Sequence, residues 1–429
     1  MNRYDSYKDS GVEWVGEIPS HWINSRLKYV SEIVTGNTPP TKDEDNYEGG
    51  EFLWVKPNEI NGLIPTNDTK QKLTIKGRSL SRVLPPFSVL VNGIGRIGVF
   101  GFSELPVSTN QQINSIVFND KVDNRYGIFH VSMMKEGFLS NSEKVVVPIL
   151  NKTKQENLEF ILPPLSEQQQ IVTFLDDKTQ KIDSLIQQKE KKIELLKEKR
   201  ISLINHFVTK GLNPNVEMKE SGVEWIGEIP KHWNRNKLNR LSERIGDGLH
   251  STPKYVDSSE YFFINGNNLV DGKIKIFDST KCVSEEEFNK HFIKLNSKTI
   301  LLSINGTIGN LSFYYNEKVI LGKSSCYINL KENINNHFIY YVLKSESINK
   351  YFTFELTGTT IFNLSLNSIR NTPIVIPPEN EQQQIVEYLE KQTEEIDTLI
   401  QLEQKKIDTL KEYRQSLISE VVTGKIKVV

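Results

Sequence analysis

Ser10-Gly11-Val12-Glu13-Trp14-Val15-Gly16-Glu17-Ile18-Pro19-Ser20-His21-Trp22 returns later in the chain as Ser221-Gly222-Val223-Glu224-Trp225-Ile226-Gly227-Glu228-Ile229-Pro230-Lys231-His232-Trp233. The two stretches are identical at eleven of thirteen positions and offset by 211 residues. A second block, Pro163-Pro164-Leu165-Ser166-Glu167-Gln168-Gln169-Gln170-Ile171-Val172, recurs as Pro377-Pro378-Glu379-Asn380-Glu381-Gln382-Gln383-Gln384-Ile385-Val386 at an offset of 214. Solenoid repeats run at about 20–50 residues, so a period this long is a whole domain and its trailing segment, written twice. Two similar halves suit a target that itself has two halves.

The residues after each Pro-Pro block set the architecture. Residues 166–209 and 380–423 hold no Gly or Pro and are dominated by Gln, Glu, Lys, Leu and Ile, reasonable or good helix formers. Apolar side chains recur every seven residues: Leu175, Ile182, Leu196 and Leu203 in one block, Leu389, Ile396, Leu410 and Leu417 in the other. A sustained heptad with charges between its apolar rows predicts a coiled-coil helix. Ser166 and Asn380 stand where N-caps are expected, and Gly211 and Gly424 come after the helical ends. Glu167 to Thr209 would span roughly 64 Å. One seam position in each helix is charged, Lys189 and Glu403, equivalent at offset 214. In an antiparallel pair these midpoints meet, and a Lys189–Glu403 approach would fix register.

Residues 23–165 and 234–379 are richer in Gly, Pro and Asn. They carry β-like runs such as Phe52-Leu53-Trp54-Val55, Ser88-Val89-Leu90-Val91, Ile116-Val117-Phe118, Thr299-Ile300-Leu301-Leu302 and Ile374-Val375-Ile376. Helical pieces such as 336–345 are interspersed. The expected class is α+β: two mixed α/β domains in tandem, 1–165 and 211–379, each leading into a long helix, 166–210 and 380–429. The helices are expected to pair as an antiparallel coiled coil with pseudo-twofold symmetry. The C-terminal helix ends where a circular arrangement leads back to the first segment, so the termini are expected to be neighbours.

Composition narrows the function classes. With 429 residues, 37% hydrophobic and 25% charged, the chain reads as an ordinary globular protein of two or more domains. Its 53 basic and 54 acidic residues leave a formal charge of −1, so any nucleic-acid surface must be local. Cys282 and Cys326 are the only cysteines and form no CxxC pair, which suits small buried hydrophobes in a reduced compartment. No apolar run approaches the ~20 residues of a membrane span, and the expected location is cytoplasmic.

The two Gly-Val-Glu-Trp-x-Gly-Glu-Ile-Pro-x-His-Trp segments and the two Pro-Pro-x-x-Glu-Gln-Gln-Gln-Ile-Val segments, alternating with two dissimilar domains, resemble the specificity subunit of a type I restriction-modification system. The resemblance covers essentially the whole chain. It implies two target recognition domains, each reading one half of a bipartite, asymmetric sequence in double-stranded DNA. It implies that the helices form a spacer that sets half-site separation and docks two modification (methyltransferase) subunits. Two restriction (endonuclease and translocase) subunits complete such an assembly. The chain itself would be non-catalytic and without cofactor: S-adenosylmethionine belongs to the modification subunit, ATP and Mg to the restriction subunit.

Matching the two copies to each other suggests which residues read DNA. Trp54–Gly62, with Lys56 and Asn58, matches Ile264–Gly272, with Asn265, Asn267 and Asn268. Asn92 to Gly98, around Arg96, matches Ser303 to Gly309, with Asn305 and Thr307. Thr109-Asn110-Gln111-Gln112 matches Lys323-Ser324-Ser325-Cys326. Arg, Asn and Gln suit paired hydrogen bonds to base edges, whereas Lys, Ser and Thr more often hold phosphates. Differences between the copies then predict two different half-sites.

Three other readings compete. Gly93-Ile94-Gly95-Arg96-Ile97-Gly98 fits the dinucleotide-binding pattern, but Val99-Phe100-Gly101-Phe102 continues it as a strand rather than a helix, which favours a hairpin turn. His21 and His232 lack the company of metal ligands and are expected in a packed aromatic corner with a hydrogen-bonded imidazole. A bivalent coiled-coil scaffold binding other proteins instead of DNA is compatible with the neutral charge.

Overall fold

The computed structural model describes residues 3–143, 147–358 and 362–428. It divides into two compact units, Met1–Lys189 with Lys405–Val429, and Glu190–Gln404. Each unit contains one mixed α/β domain and half of each long helix.

The long helices run Leu165–Lys210 and Glu379–Val422. Ser166 and Asn380 therefore lie inside the first turn instead of capping it. The Pro164 carbonyl accepts from the Glu167 and Gln168 amides, and Pro378 does the same for Glu381 and Gln382. Each helix stops at a left-handed glycine, Gly211 and Gly424, both at φ +73°, a conformation that side chains with a Cβ resist. In the second unit Lys192 meets Glu403 at 2.9 Å and Arg200 meets Asp397 at 3.1 Å, numbers rising on one helix as they fall on the other, so the pairing is antiparallel. In the first unit Asp183 meets Arg414 at 2.7 Å, the copy of the Arg200–Asp397 pair at offset 214. Leu175, Ile182, Leu389, Ile396 and Leu417 are buried, while Leu196, Leu203, Leu410 and Lys189 are half-buried. Glu403 is 2% exposed and pairs with Lys192. The Lys189–Glu403 approach would join residues of different units and stays an expectation.

The first domain stacks two four-stranded sheets. One is ordered Ser31–Thr35, Ile113–Phe118, Val89–Asn92, Phe100–Phe102, all antiparallel, with Ser115 opposite both Val34 and Leu90. The other is ordered Lys72–Leu73, Phe52–Val55, Val107–Thr109, Val83–Leu84, its central pair parallel. Leu53, Val55, Ile60, Leu84, Leu90, Val107 and Ile113 fill the space between them. The second domain repeats the plan with Ser242–Asp247, Ser325–Leu330, Thr299–Ser303 and Leu311–Phe313 in one sheet. In its other sheet Tyr261–Ile264 and Val319–Leu321 form the parallel pair.

The duplicated motifs recur together because they touch. In the first unit the Glu167 carboxylate accepts from Trp22 Nε1 (3.0 Å) and Tyr4 Oη (3.0 Å) and pairs with His21 Nε2 at 2.7 Å. Its side chain is 15% exposed, and Trp22 is fully buried. Burial pushes the Glu167 pKa up, but the three donors outweigh it and hold the carboxyl below its usual range. Glu381 receives His232 at 2.8 Å in the second unit, where Trp233 Nε1 has no protein acceptor. The hydrogen-bonded aromatic corner is present in both copies. The next residue, Gln168, is fully buried: its Oε1 accepts from Asp123 N (2.8 Å) and its Nε2 donates to Lys121 O and Pro163 O. Gln382 likewise accepts from Asn335 N and donates to Pro377 O, both at 3.0 Å. Asp123 and Asn335 are the N-caps of the domain helices Asn124–Met133 and Asn336–Lys344, so one glutamine fastens each domain to its rod. Tyr7 Oη donates to Gly424 O at 3.1 Å, which brings the first and last segments of the chain together as expected.

Candidate nucleic-acid interface

Strands Phe52–Val55 and Val107–Thr109 run parallel, so the loops at their C-terminal ends, Lys56–Glu59 and Asn110–Gln112, leave the domain at one end. The Asn110 amide donates to Val55 O at 3.2 Å and the Gly93 amide to Gln112 O at 2.8 Å, which draws the Gly93–Gly98 tip alongside. A further segment joins them: Asn37 N donates to Thr109 O at 2.9 Å, and the Thr38 hydroxyl donates to the Gln111 side-chain Oε1. The second domain makes the corresponding bonds, Gly322 N to Ile264 O (2.8 Å), Ile304 N to Ser324 O (2.9 Å) and Leu249 N to Leu321 O (2.7 Å). Four loops thus converge in each unit on one scaffold of backbone hydrogen bonds.

These bonds also correct the copy-to-copy matching. Lys56 corresponds to Asn265 rather than to Gly266, and Glu59 to Asn268, since each pair closes the same one-turn helix. Gln111 corresponds to Lys323 and Gln112 to Ser324, two places from the sequence match, because Asn110 N and Gly322 N occupy the same rung. The Arg96–Thr307 match is retained. Arg96 lies between Gly95 (φ +77°) and Gly98 (φ +83°), and Thr307 between Gly306 (φ +72°) and Gly309 (φ +92°). Both tips link antiparallel strands, so the glycine-rich run is a hairpin turn with no helix behind it.

The candidates differ in what they can offer a ligand. Asn58, Arg96, Gln111 and Gln112 are exposed in the first domain, and Asn267, Thr307 and Lys323 in the second. Lys56 is half-buried, its ammonium bonded to Gln71 Oε1 at 2.7 Å and 4.9 Å from the centre of the Trp54 ring. Asn265, Asn305 and Ser324 are also half-buried, and Ser324 Oγ donates to Asn265 Oδ1 at 3.0 Å. The rest are turned inward. Asn110 Oδ1 accepts from Gln112 N at 3.1 Å, Asn268 is consumed by bonds within its loop, and Ser325 begins a strand with no exposed surface. Asn92 is fully buried at the end of its strand, and neither amide atom has a protein partner.

Sequence reading missed four contributors. Glu59 and Thr38 hold the loops from within. Gly36 and Gly248 let the fourth segment lie against the strand ends: a Cβ on Gly36 would stand 2.2 Å from Asn110 O, and one on Gly248 2.1 Å from Leu321 O. The signal was available, since Gly36 precedes Pro39 and Gly248 precedes Pro253 in otherwise dissimilar segments. Among the described residues no cluster of His, Cys, Asp or Glu could hold a metal, and no helix is long and apolar enough to cross a membrane. Cys326 lies in the core, where burial pushes its thiol pKa up, and Cys282 is half-buried.

A model of the type I restriction modification DNA specificity domain matches residues 19–195 and again 230–412. The chain belongs to that family. Two copies of the family domain account for the doubled sequence, and membership does not favour the protein-binding scaffold. The chain is 26% identical to the type I restriction enzyme MjaIX specificity subunit of Methanocaldococcus jannaschii, covering 96% of this chain and 95% of that one. It is 30% identical to the MjaVIII specificity subunit of the same organism, over 72% of each. Two solved structures share the fold. One, from work on assembly and conformational transition of the type I R-M system, covers 95% of this chain and 99% of its own at TM-score 0.71 and 15% identity. The other, the HsdS subunit from Thermoanaerobacter tengcongensis, covers 95% and 98% at TM-score 0.51 and 16% identity.

Proposed function

We propose that the chain is the non-catalytic, sequence-reading subunit of a type I restriction-modification complex, each recognition domain reading one half of a bipartite duplex DNA target. The observation that supports this most directly is the contrast between the two loop clusters. Their backbone scaffolds correspond bond for bond, yet Arg96, Gln111 and Gln112 in one stand where Thr307, Lys323 and Ser324 stand in the other. A shared frame with unlike exposed side chains is what two different half-sites require. Arg96 suits a guanine edge and Gln111, steadied by Thr38, an adenine edge, while Lys323 suits a phosphate. In this reading the paired helices act as the spacer between half-sites and dock two modification subunits, which bring S-adenosylmethionine. Two restriction subunits bring ATP and Mg.

Replacing residues 23–160 by the corresponding segment of another family member, and mapping methylated adenines in cells that hold only this subunit and its modification partner, tests the proposal. One half of the methylated motif should change and the other persist. A motif altered in both halves, or a complex with no affinity for duplex DNA at any salt concentration, would return the reading to a protein scaffold.

A further inference from the structure

Glu59 places a negative charge within the loop that carries Lys56 and Asn58. Facing phosphates, such a charge weakens binding to every duplex, so its presence calls for a local purpose. Its Oε2 accepts from Lys56 N at 2.8 Å and its Oε1 from Lys70 N at 2.7 Å. One carboxylate thereby ties the Lys56-Pro57-Asn58 turn to the Lys70-Gln71 segment, whose Gln71 in turn holds the Lys56 ammonium. The Thr66 hydroxyl donates to the Glu59 carbonyl and fixes the backbone beneath.

Asn268 occupies the same place in the second domain with the far end reversed. Its Oδ1 accepts from Asn265 N at 2.9 Å, as Glu59 does from Lys56. Its Nδ2 donates to Lys275 O (2.9 Å) and Thr280 Oγ1 (3.1 Å), where Glu59 instead receives an N–H. Each side chain is matched to its own neighbouring segment: an acceptor at both ends in one domain, an acceptor and a donor in the other. We infer that Glu59 and Asn268 are the positioning residues of the two recognition loops, each setting the specificity of its own half-site without touching DNA. The inference rests on the proposed DNA-reading role.

Glu59→Gln turns an amide NH2 toward either Lys56 N–H or Lys70 N–H. Asn268→Asp sets a carboxylate against the Lys275 carbonyl. Both keep side-chain volume, and they act in opposite electrostatic directions. The test uses the full chain assembled with its modification partner, and duplexes carrying its methylated sequence with either half scrambled. Glu59→Gln should reduce the preference for the intact first half by about ten- to a hundredfold, the loss of one charge-assisted bond, and leave the second-half preference unchanged. Asn268→Asp should do the reverse. If both halves weaken together, or if Glu59→Gln only tightens binding to all duplexes as charge removal alone predicts, the positioning role is overturned. An unchanged first-half preference in Glu59→Gln with an unchanged second-half preference in Asn268→Asp overturns it equally. Failure of the wild-type complex to bind duplex DNA would instead count against the proposed function.

Discussion

The Glu167 corner makes a prediction that separates the two copies. Glu167→Ala removes the acceptor for three donors. Trp22 is the most consequential, because its indole N–H is fully buried and no other acceptor within reach is described. Stranding a buried donor costs about 1–3 kcal/mol. Tyr4, half-buried, adds roughly 1 kcal/mol, and His21, 48% exposed, adds little because water replaces the carboxylate. The expected total is about 3 kcal/mol, or about 6–12 °C in the unfolding midpoint of the first unit. In the second unit Glu381→Ala loses only the His232 contact, itself 46% exposed, since Trp233 Nε1 has no protein acceptor to lose. That change should stay below about 1 kcal/mol. Thermal unfolding followed by tryptophan fluorescence, on the full chain and both single variants, reads the difference. Equal destabilisation by the two substitutions would refute the claim that the buried indole, rather than the helix terminus, makes this carboxylate important. A sign argument accompanies it. The folded Glu167 carboxyl has a lowered pKa, so its contribution is complete above the ordinary carboxylate range and is lost as pH falls through the folded value. The wild-type advantage over Glu167→Ala should therefore shrink in acid.

Three further outcomes are set by the packing. Gly424→Ala should destabilise the first unit by more than about 2 kcal/mol, since φ is +73° and the new Cβ would stand 2.4 Å from Pro19 Cδ; Gly95→Ala, equally left-handed but with nothing within 4 Å, should cost about 1 kcal/mol in the same denaturation assay. Gln168→Leu, which leaves the Asp123 amide and two carbonyls without their partner, should raise amide exchange across the Asn124–Met133 helix more than in strands Val89–Asn92 or Ile113–Phe118. His130 is fully buried, accepts from Ile161 N at 2.9 Å, and has its pKa pushed down to about 3 by burial. The unfolded state then binds the extra proton first, so first-unit stability should fall between about pH 6.5 and 3 by up to about 1.4 kcal/mol per pH unit, and His130→Gln should flatten that slope.

The long helices were legible because nothing interrupts them: a seven-residue apolar spacing across more than forty residues free of Gly and Pro has one structural meaning. Strand positions were legible to within a residue or two for the same reason, as at Val89–Asn92 and Pro373–Ile376. The site was harder to see. Short loops changed length between the copies: Asn265 to Gly272 is one residue longer than Lys56 to Gly62, and Thr307 to Lys323 one longer than Arg96 to Gln111. A match anchored on Gly62 and Gly272, whose amides bond the equivalent Phe100 and Leu311 carbonyls, therefore slipped at the loop heads. Glu59 and Asn268 look unrelated as letters, yet both accept the same amide at the head of the same turn. Asn92 and Ser325 are polar and sit beside glycine-bearing turns, which reads as surface; only the sheet register shows that they face inward. The N-caps were misplaced because the helices begin directly after the second proline of each pair, whose carbonyl already accepts the first intrahelical bonds, so Ser166 and Asn380 fall inside the first turn.

The grip of Gln168 and Gln382 has a consequence for how such chains diversify. Each glutamine holds its domain through main-chain atoms alone, the amides of Asp123 and Asn335 and the carbonyls of Lys121, Pro163 and Pro377. A clasp that feels only peptide groups is indifferent to the identity of the side chains it secures. A foreign recognition module that presents one free helix-cap amide at the right height can therefore take the same clasp, leaving side-chain contacts such as Arg125–Asp176 and His337–Glu390 as the ones that depend on the module's identity. Reading heads then become exchangeable parts, and a new bipartite specificity can arise by exchanging the whole segment between the Trp22 and Glu167 anchors, with one crossover at each, rather than by gradual adjustment of an interface.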